Sequence, residues 1–230
     1  MTNDFYINGV GSGEYGVRLL ASYKVGGTPI KRTRQKTPGV QGWLALQTEY
    51  GLRTITLPIH VQGKTPLQAS LQLSELTAAL SAEPVDLHLP NGMQYFASLD
   101  SAGDAAELTQ DGCLLSCTYK LAGYAHGDLQ SVTIPPNGTL RAIGTAPHMA
   151  YKISCTVGKG AGSYPMAGIV WKNVQAGDKL EIDGLTKRVT RNGYSDIGRT
   201  DLTEWPTLTP GKNTITAQDA LTVSYYPIWL

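Results

Sequence analysis

The sequence predicts a mainly β protein that contains one long helix. Its 230 residues include 26 glycines and 13 prolines without an internal repeat, which favours many turns between short strands. Several stretches alternate apolar and polar residues as half-buried strands do, most clearly residues 53–57. Only one segment has a sustained helical period. A chain of this length with 41% hydrophobic residues can build its core without disulfides or metal.

The first part of the chain is predicted to form strands separated by glycine turns. Residues 5–8 predict an opening strand, residues 9–16 a turn, and residues 17–20 and 23–25 further strands. The letters of Gly11–Gly16 match the dinucleotide-binding fingerprint, but that motif acts between a strand and a helix. A strand pattern follows it here, and no Asp or Glu occurs between residues 16 and 49. We therefore interpret it as a turn.

The one helix is predicted at about residues 65–82. Thr65 fits the N-cap, Pro66 fits the first helical position, and Gln68 completes a capping box. Leu67, Leu71, Leu76 and Leu80 are expected near one apolar face. The Glu83–Pro84 bond should end the helix, because the residue before proline avoids the helical region.

Strands resume beyond Pro84, and a break at residues 123–127 separates two domains. Residues 85–89, 95–97 and 112–121 predict strands of the first domain. After the break, short strands with turn pairs such as Asp183-Gly184 and Asn192-Gly193 indicate a sandwich. We expect a first domain over residues 1–125, which contains the helix, and a second over residues 126–230.

The charge balance argues against nucleic-acid binding. The 19 basic and 18 acidic residues leave a net charge of +1, so the basic excess that releases counterions from DNA is absent. No apolar run approaches the ~18 residues of a membrane span, and residues 1–6 lack a secretory signal pattern. Cys113, Cys117 and Cys155 are then expected as reduced core thiols of a protein made in the cytoplasm, with no membrane partner.

No group of residues predicts catalysis or a cofactor. Cys113 and Cys117 would lie too far apart along a strand to share one zinc ion. Asp178, Glu181 and Asp183 cluster, and two carboxylates could support glycoside hydrolysis. Asp178 and Asp183 nevertheless belong to ordinary turn pairs with glycine. We expect no enzyme, metal or cofactor, and a carboxylate hydrolase is the weakest alternative.

The tryptophans suggest a second possible function. Trp43, Trp171, Trp205 and Trp229 could stack on sugars, for which a β-sandwich is a common scaffold. Aromatic residues equally fill protein cores and subunit interfaces, and we favour that interpretation. A carbohydrate-binding module is the alternative.

A basic, extended segment precedes a turn in the first domain. Lys31, Arg32, Arg34 and Lys36 lead to Pro38-Gly39 and then to Trp43. On a strand the side chains of Arg32 and Arg34 lie on one side. Such a segment is usually solvated, but it could pair with acidic groups of a neighbouring copy. We predict these seven residues as candidate contacts between subunits.

Several short motifs follow one another in an informative order. In the first domain they are Phe5–Gly9, Glu14–Val17 and Pro38–Gly42. In the second domain they are Leu180–Gly184, Lys187–Val189, Asn192–Gly193, Trp205–Leu208, Pro210–Ile215 and Val223–Leu230. Each motif alone consists mostly of residues that are common in turns. Taken together, the motifs span nearly the whole chain and resemble the distal tail protein (Dit) family of long-tailed, non-contractile phages.

The resemblance implies both an architecture and a function. Residues up to about 120 would form a β-sandwich related to tail-tube proteins, and residues from about 130 a galectin-like β-sandwich. Six copies would form a ring in the virion, joining the tail tube to the baseplate or tail tip around a DNA channel. The partners would be other copies, the tail tube protein, the tail-tip or baseplate hub and receptor-binding proteins, with DNA only in passage. In the alternative, the second sandwich would bind carbohydrate and assist attachment to the host cell surface.

Overall fold

The computed structural model of the chain describes residues 4–36, 38–39, 41–42 and 44–230. The chain divides into two compact units. The first comprises Met1–His126 and Leu230, and the second comprises Gly127–Trp229. Each unit has its own strands and its own buried core.

The first unit is built on an antiparallel sheet with one helix packed against it. Its elements are β1 (Tyr6–Ile7), β2 (Val10–Gly11), β3 (Val17–Leu19), β4 (Lys24–Val25), β5 (Ile30–Gln35), β6 (Leu44–Tyr50), β7 (Arg53–Gln62), α1 (Pro66–Leu80), β8 (Val85–His88), β9 (Gln94–Ala102), β10 (Ala106–Glu107) and β11 (Leu114–His126). The sheet runs in the order β2-β1-β8-β9-β11-β7-β3, while β4 pairs with β7 and β10 with β11. Strands β5 and β6 form a separate hairpin.

Alternation along two long strands builds the core of the first unit. Strand β7 buries Ile55, Leu57, Ile59 and Val61, and the side chains between them are less buried. Strand β11 lies beside β7 and buries every second residue in the same way. This period of two places one face of the sheet inside, as the sequence pattern predicts.

The start of α1 confirms the predicted cap. The Thr65 hydroxyl accepts a hydrogen bond from the Gln68 amide at 3.2 Å, and Pro66 occupies the first helical position. The Gln68 side chain accepts from the Lys64 amide at 2.9 Å, one residue before the N-cap. The helix ends at Leu80, and the Thr77 hydroxyl joins it to the Tyr119 hydroxyl of β11 at 2.6 Å.

The predicted apolar face of α1 is wrong in its first half. The helix buries Ala69, Leu76 and Leu80 against the sheet, whereas Leu67 is 70% exposed and Leu71 is 55% exposed. Residues 67 and 71 are one turn apart and lie on the side of the helix opposite to the buried stripe. Leucines occur on both sides of this helix, and only packing determines which of them reach the core.

The second unit is a β-sandwich. Its elements are β12 (Gln130–Ile134), β13 (Thr139–Ala142), β14 (Met149–Thr156), β15 (Ala161–Met166), β16 (Ile169–Val174), β17 (Lys179–Asp183), β18 (Arg188–Arg191), β19 (Tyr194–Ser195), β20 (Thr207–Leu208), β21 (Gly211–Thr214), β22 (Leu221–Tyr225) and β23 (Ile228–Trp229). The main sheet runs β12-β22-β14-β17-β18-β19, with β20 beside β14. The pairs β13-β21 and β15-β16 are separate two-stranded sheets, and Trp171 of β16 is fully buried in the shared core.

The mainly β fold class with one helix is confirmed. Over residues 9–16, where a turn is predicted, the structure also contains β2 and a short 3-10 helix, Ser12–Tyr15. Strand β3 follows directly, so the arrangement of the dinucleotide motif does not occur. No helix in the described part of the chain is long and apolar enough to span a membrane. The galectin-like character of the second unit stays a prediction.

Candidate inter-subunit interface

The basic segment of the sequence lies in an exposed β-hairpin. Strand β5 pairs antiparallel with β6, from Ile30 opposite Tyr50 to Gln35 opposite Leu44. Among the described residues neither strand pairs with a third strand, and every side chain of β5 is exposed. We call residues 30–50 the arm.

The arm is anchored at its base and turns sharply at its tip. At the base, the Gly51 amide donates to the Pro29 carbonyl at 2.8 Å, and Arg53 Nε donates to the Thr28 hydroxyl at 3.0 Å. Near the tip, Gly39 has a φ of +79°, which glycine adopts without steric cost. The predicted Pro38-Gly39 turn therefore lies at the tip.

The two faces of the arm differ in chemistry. Lys31 and Glu49 lie opposite each other and form an ion pair at 3.6 Å. Gln47 Nε2 donates to Glu49 at 3.0 Å, so this face is polar. On the other face the cross-strand neighbours Ile30 and Tyr50 are 52% and 41% exposed. The arm therefore has one polar face and one partly apolar face, because side chains alternate along each strand.

The apolar face also carries Arg32. Arg32 lies two residues beyond Ile30 and opposite Thr48. Leu46 is 56% exposed and lies where the pairing shifts between Thr33 and Arg34, which is typical of a β-bulge that increases the local twist of an edge. We call Ile30, Arg32 and Tyr50 the arm face.

Most of the predicted contact residues lie together on the arm. Lys31, Arg32 and Arg34 belong to β5, Lys36 follows it, and Pro38 and Gly39 form the turn. Trp43 lies outside the described residues. The sequence prediction did not include the apolar residues Ile30 and Tyr50. They share a face because β5 pairs with β6 in this register, and no local motif of the sequence indicates that pairing.

The clustered carboxylates of the second unit have structural roles. Asp178 accepts hydrogen bonds from the Gln175 amide at 2.8 Å and from Asn192 Nδ2 at 2.9 Å, which lower its pKa. Glu181 forms an ion pair with Lys152 at 2.8 Å. Both groups are thus engaged in turns and pairing. Within the described residues, no group of three or more His, Cys, Asp or Glu could hold a metal ion.

Two of the described tryptophans are engaged within the second unit. Trp171 is fully buried, and Lys187 Nζ lies over the ring of Trp205 at 5.0 Å from its centroid. A polar cleft of about 930 Å³ lies on the outer face of the main sheet and contains the Lys152–Glu181 pair. None of the described residues that line it is aromatic. Carbohydrate binding stays a prediction.

The cysteines are free thiols in the structure. Cys117 and Cys155 are buried, and burial is the largest of the effects that raise the pKa of each thiol. Cys113 is only partly buried and precedes β11, where its amide donates to the Asp111 side chain at 3.1 Å. The prediction of three core thiols is therefore wrong for Cys113.

Comparisons with known proteins place the fold among phage tail components. Residues 165–229 match the family model of the siphovirus-type tail component, C-terminal domain. The whole chain is similar to the crystal structure of the SPP1 Dit protein, described as a paradigm of the hub adsorption apparatus in phages that infect Gram-positive bacteria. That match has a TM-score of 0.72 and 15% identity, and it covers 100% of both chains.

Two baseplate structures give weaker matches. The chain is similar to a chain of the phage P2 baseplate in its activated conformation with Ca, with a TM-score of 0.57 and 10% identity over 99% of this chain and 98% of that one. The corresponding structure with Sr gives the same TM-score and identity over 98% of both chains. No curated protein sequence matches the chain at a significant level.

Residues 165–229 match the C-terminal domain of the siphovirus-type tail component, and this match agrees with the fold of the whole chain. More particularly, the chain has the SPP1 Dit fold over its full length, and the domain match covers its C-terminal part. The resemblance to the distal tail protein family is thereby confirmed.

Proposed function

We propose that six copies of this chain form a ring that joins the phage tail tube to the baseplate or tail tip and surrounds a channel for DNA. The observation that carries the proposal is the exposed arm, in a chain with the fold of a distal tail protein. A hairpin without a partner strand in its own unit is a natural element for contacts with another copy.

The proposed role is architectural. The clustered carboxylates are used in turns and ion pairs. The exposed surfaces would then carry the function, through contacts with other proteins. The first unit would close the ring through the arm. The second would contact the hub and receptor-binding proteins of the baseplate. The protein would be made in the cytoplasm of the host bacterium and reside in the virion.

A near-neutral charge suits a channel that passes DNA. The net charge of +1 gives little of the counterion release that holds DNA on basic proteins. DNA would therefore be a passing cargo, and the lasting partners would be other copies and the tail tube protein.

Native mass measurement of the purified chain tests the ring. We expect a species of six times the 24.7 kDa mass of one chain, with a population that grows with protein concentration. A protein that stays monomeric at high concentration, both alone and with the tail tube protein, would contradict the proposal.

Charge reversal on the arm tests which element closes the ring. Arg32→Glu with Arg34→Glu changes two exposed side chains of β5 and is expected to weaken assembly, because a basic contact becomes repulsive toward acidic partners. Lys159→Glu with Lys212→Glu makes the same change in net charge at exposed sites of the second unit. This control is expected to assemble normally, and light scattering compares the three proteins.

A further inference from the structure

We propose that the arm face of one copy docks on the outer side of α1 in the next copy. This inference rests on the proposed ring and identifies the surface that receives the arm. The receiving surface is Leu67, Leu71 and Glu75 of α1 together with Glu107 and Leu108 at the end of β10, and we call it the helix patch.

The leucines of the helix patch are exposed among the described residues of their own unit. Leu67, Leu71 and Leu108 are 70%, 55% and 49% exposed. Leu67 and Leu71 are one helical turn apart, so they form a continuous strip on the outer side of α1. Exposed leucines that are grouped in this way mark an interaction site more often than scattered ones do.

The two segments of the helix patch lie side by side. A Cβ added to Gly112 would be 3.5 Å from Pro66 Cβ and 3.7 Å from Glu107 Cδ, so the end of β10 and the start of α1 flank the same glycine. The Gly63 amide also donates to the Cys113 carbonyl at 2.9 Å. These distances place the end of β10 near the first turn of α1.

The arm and the helix patch have opposite charge. Residues 30–50 carry four basic side chains and one acidic one. Residues 64–82 and 104–113 carry the acidic Glu75, Asp104, Glu107 and Asp111 and the basic Lys64. The Asp111 carboxylate accepts hydrogen bonds from the Thr109 hydroxyl and the Cys113 amide, which lower its pKa and keep it charged. Apolar residues surrounded by complementary charges therefore face each other in the proposed contact.

Within one copy, the arm and the helix patch lie at opposite ends of β7. The arm enters β7 at Arg53, whereas α1 begins shortly after Gln62. The nine steps between these residues span about 30 Å, whereas the arm face begins at the base of the arm and extends only about 7 Å along β5, from Ile30 to Arg32. The arm face therefore lies too far from the helix patch of its own copy, and a second copy is the partner whose chemistry fits.

A contact between two different surfaces has a definite consequence for assembly. Each copy would offer an arm face to one neighbour and a helix patch to the other, which is a head-to-tail interface. Such an interface generates a ring when its rotation closes. Pairing of arm with arm would instead be self-complementary and would stop at a dimer.

Complementation between two assembly-deficient variants of the full chain tests the inference. The arm variant is Ile30→Ser with Tyr50→Ser, and the patch variant is Leu67→Glu with Leu71→Glu; all four side chains are exposed. Each variant alone is expected to lose assembly, with a monomer mass by native mass spectrometry. Mixed in equal amounts, they should form 1:1 dimers, because the intact arm of the patch variant meets the intact helix patch of the arm variant.

The control changes the other face of the arm. Thr33→Ser with Gln47→Ser alters two exposed, uncharged residues that pair across the polar face and is expected to assemble like the wild type. If the wild type forms rings and the patch variant does so equally well, the docking surface is wrong while the ring stands. If both variants lose assembly but their mixture stays monomeric, the pairing of arm with helix patch is wrong. If the wild type itself never assembles, the proposed ring fails and the inference fails with it.

Discussion

At the scale of single residues, Arg191 joins several segments of the second unit. Its Nη1 and Nη2 donate to the carbonyls of Asn173 and Lys172 at 2.9 and 2.8 Å. Its Nε lies 2.7 Å from Asp196 Oδ2, and the guanidinium lies 5.9 Å from the centroid of the Trp171 ring. The side chain is only 11% exposed. The planar guanidinium thus holds together β16, β18 and Asp196, the residue that follows β19.

Arg191→Lys is expected to destabilise the protein even though it keeps the charge. An ammonium group cannot reproduce the fork that reaches two carbonyls and a carboxylate, and the loss should be about 1–3 kcal/mol. Urea unfolding of the full chain measures it. Arg199→Lys is the matched control, because that side chain is 66% exposed, and it should change stability by less than about 0.5 kcal/mol. Equal stability of the two variants would contradict this role of Arg191.

The buried Tyr151 predicts a loss of stability at alkaline pH. Burial raises its pKa from 10.0 to about 12. Between these values the unfolded chain releases a proton that the folded protein retains, so stability is present below pH 10 and falls as the pH rises. Tyr151→Phe should flatten the dependence of unfolding free energy on pH in this interval, by up to about 1.4 kcal/mol per pH unit. Tyr194→Phe, at a side chain that is 81% exposed, is the control, and an unchanged slope for Tyr151→Phe would contradict the prediction.

At the scale of elements, the sequence predicted α1 but not the side that it buries. Local signals define the start of the helix, because Thr65 and Pro66 suit only its first turn. The buried side depends on β7, β9 and β11, which pack against α1 from distant parts of the sequence. Leucines occupy both sides of α1, so Leu67 and Leu71 have the spacing of a buried helical stripe just as Leu76 and Leu80 do. The pattern alone could not choose between them.

Alanine substitutions on the two sides of α1 distinguish these faces. Leu76 is fully buried, so Leu76→Ala should cost about 2–5 kcal/mol through lost burial and the cavity that remains. Leu71 is 55% exposed, so Leu71→Ala should cost less than about 0.5 kcal/mol in the monomer. Both make the same chemical change on one helix, and chemical unfolding at low protein concentration compares them. A large cost at Leu71 would mean that the outer side of α1 is covered in the monomer.

The arm was predicted in part, for a related reason. Its charged residues and its Pro38-Gly39 turn stand out in the sequence, and turn chemistry is local. The pairing of β5 with β6 joins residues as far apart in the sequence as Ile30 and Tyr50, and its register shifts between Thr33 and Arg34. The polar and apolar faces follow from that pairing, so they emerged only with the structure. The acidic helix patch is further away in the sequence and carries no motif.

At the scale of the whole molecule, two kinds of surface are combined in one chain. The first unit has an arm and a helix patch of opposite charge, and the second has a polar cleft with an internal ion pair. If the acidic helix patch of a neighbour neutralises the basic arm, the strongest local cluster of positive charge is used in the contacts between subunits. The assembled ring would then have little basic surface to hold DNA.

The full-length protein is therefore expected to bind duplex DNA weakly at physiological ionic strength. With a net charge of +1, the logarithm of any apparent affinity should fall only slightly with the logarithm of salt concentration, because each neutralised phosphate adds about −0.9 to that slope. Fluorescence anisotropy of a labelled duplex over a salt series measures both quantities. Arg32→Glu with Arg34→Glu is the informative comparison, and it should leave this weak binding unchanged. Tight wild-type binding with a steep slope that this variant abolishes would show that the arm is a DNA-binding element, and it would contradict its assignment to contacts between subunits.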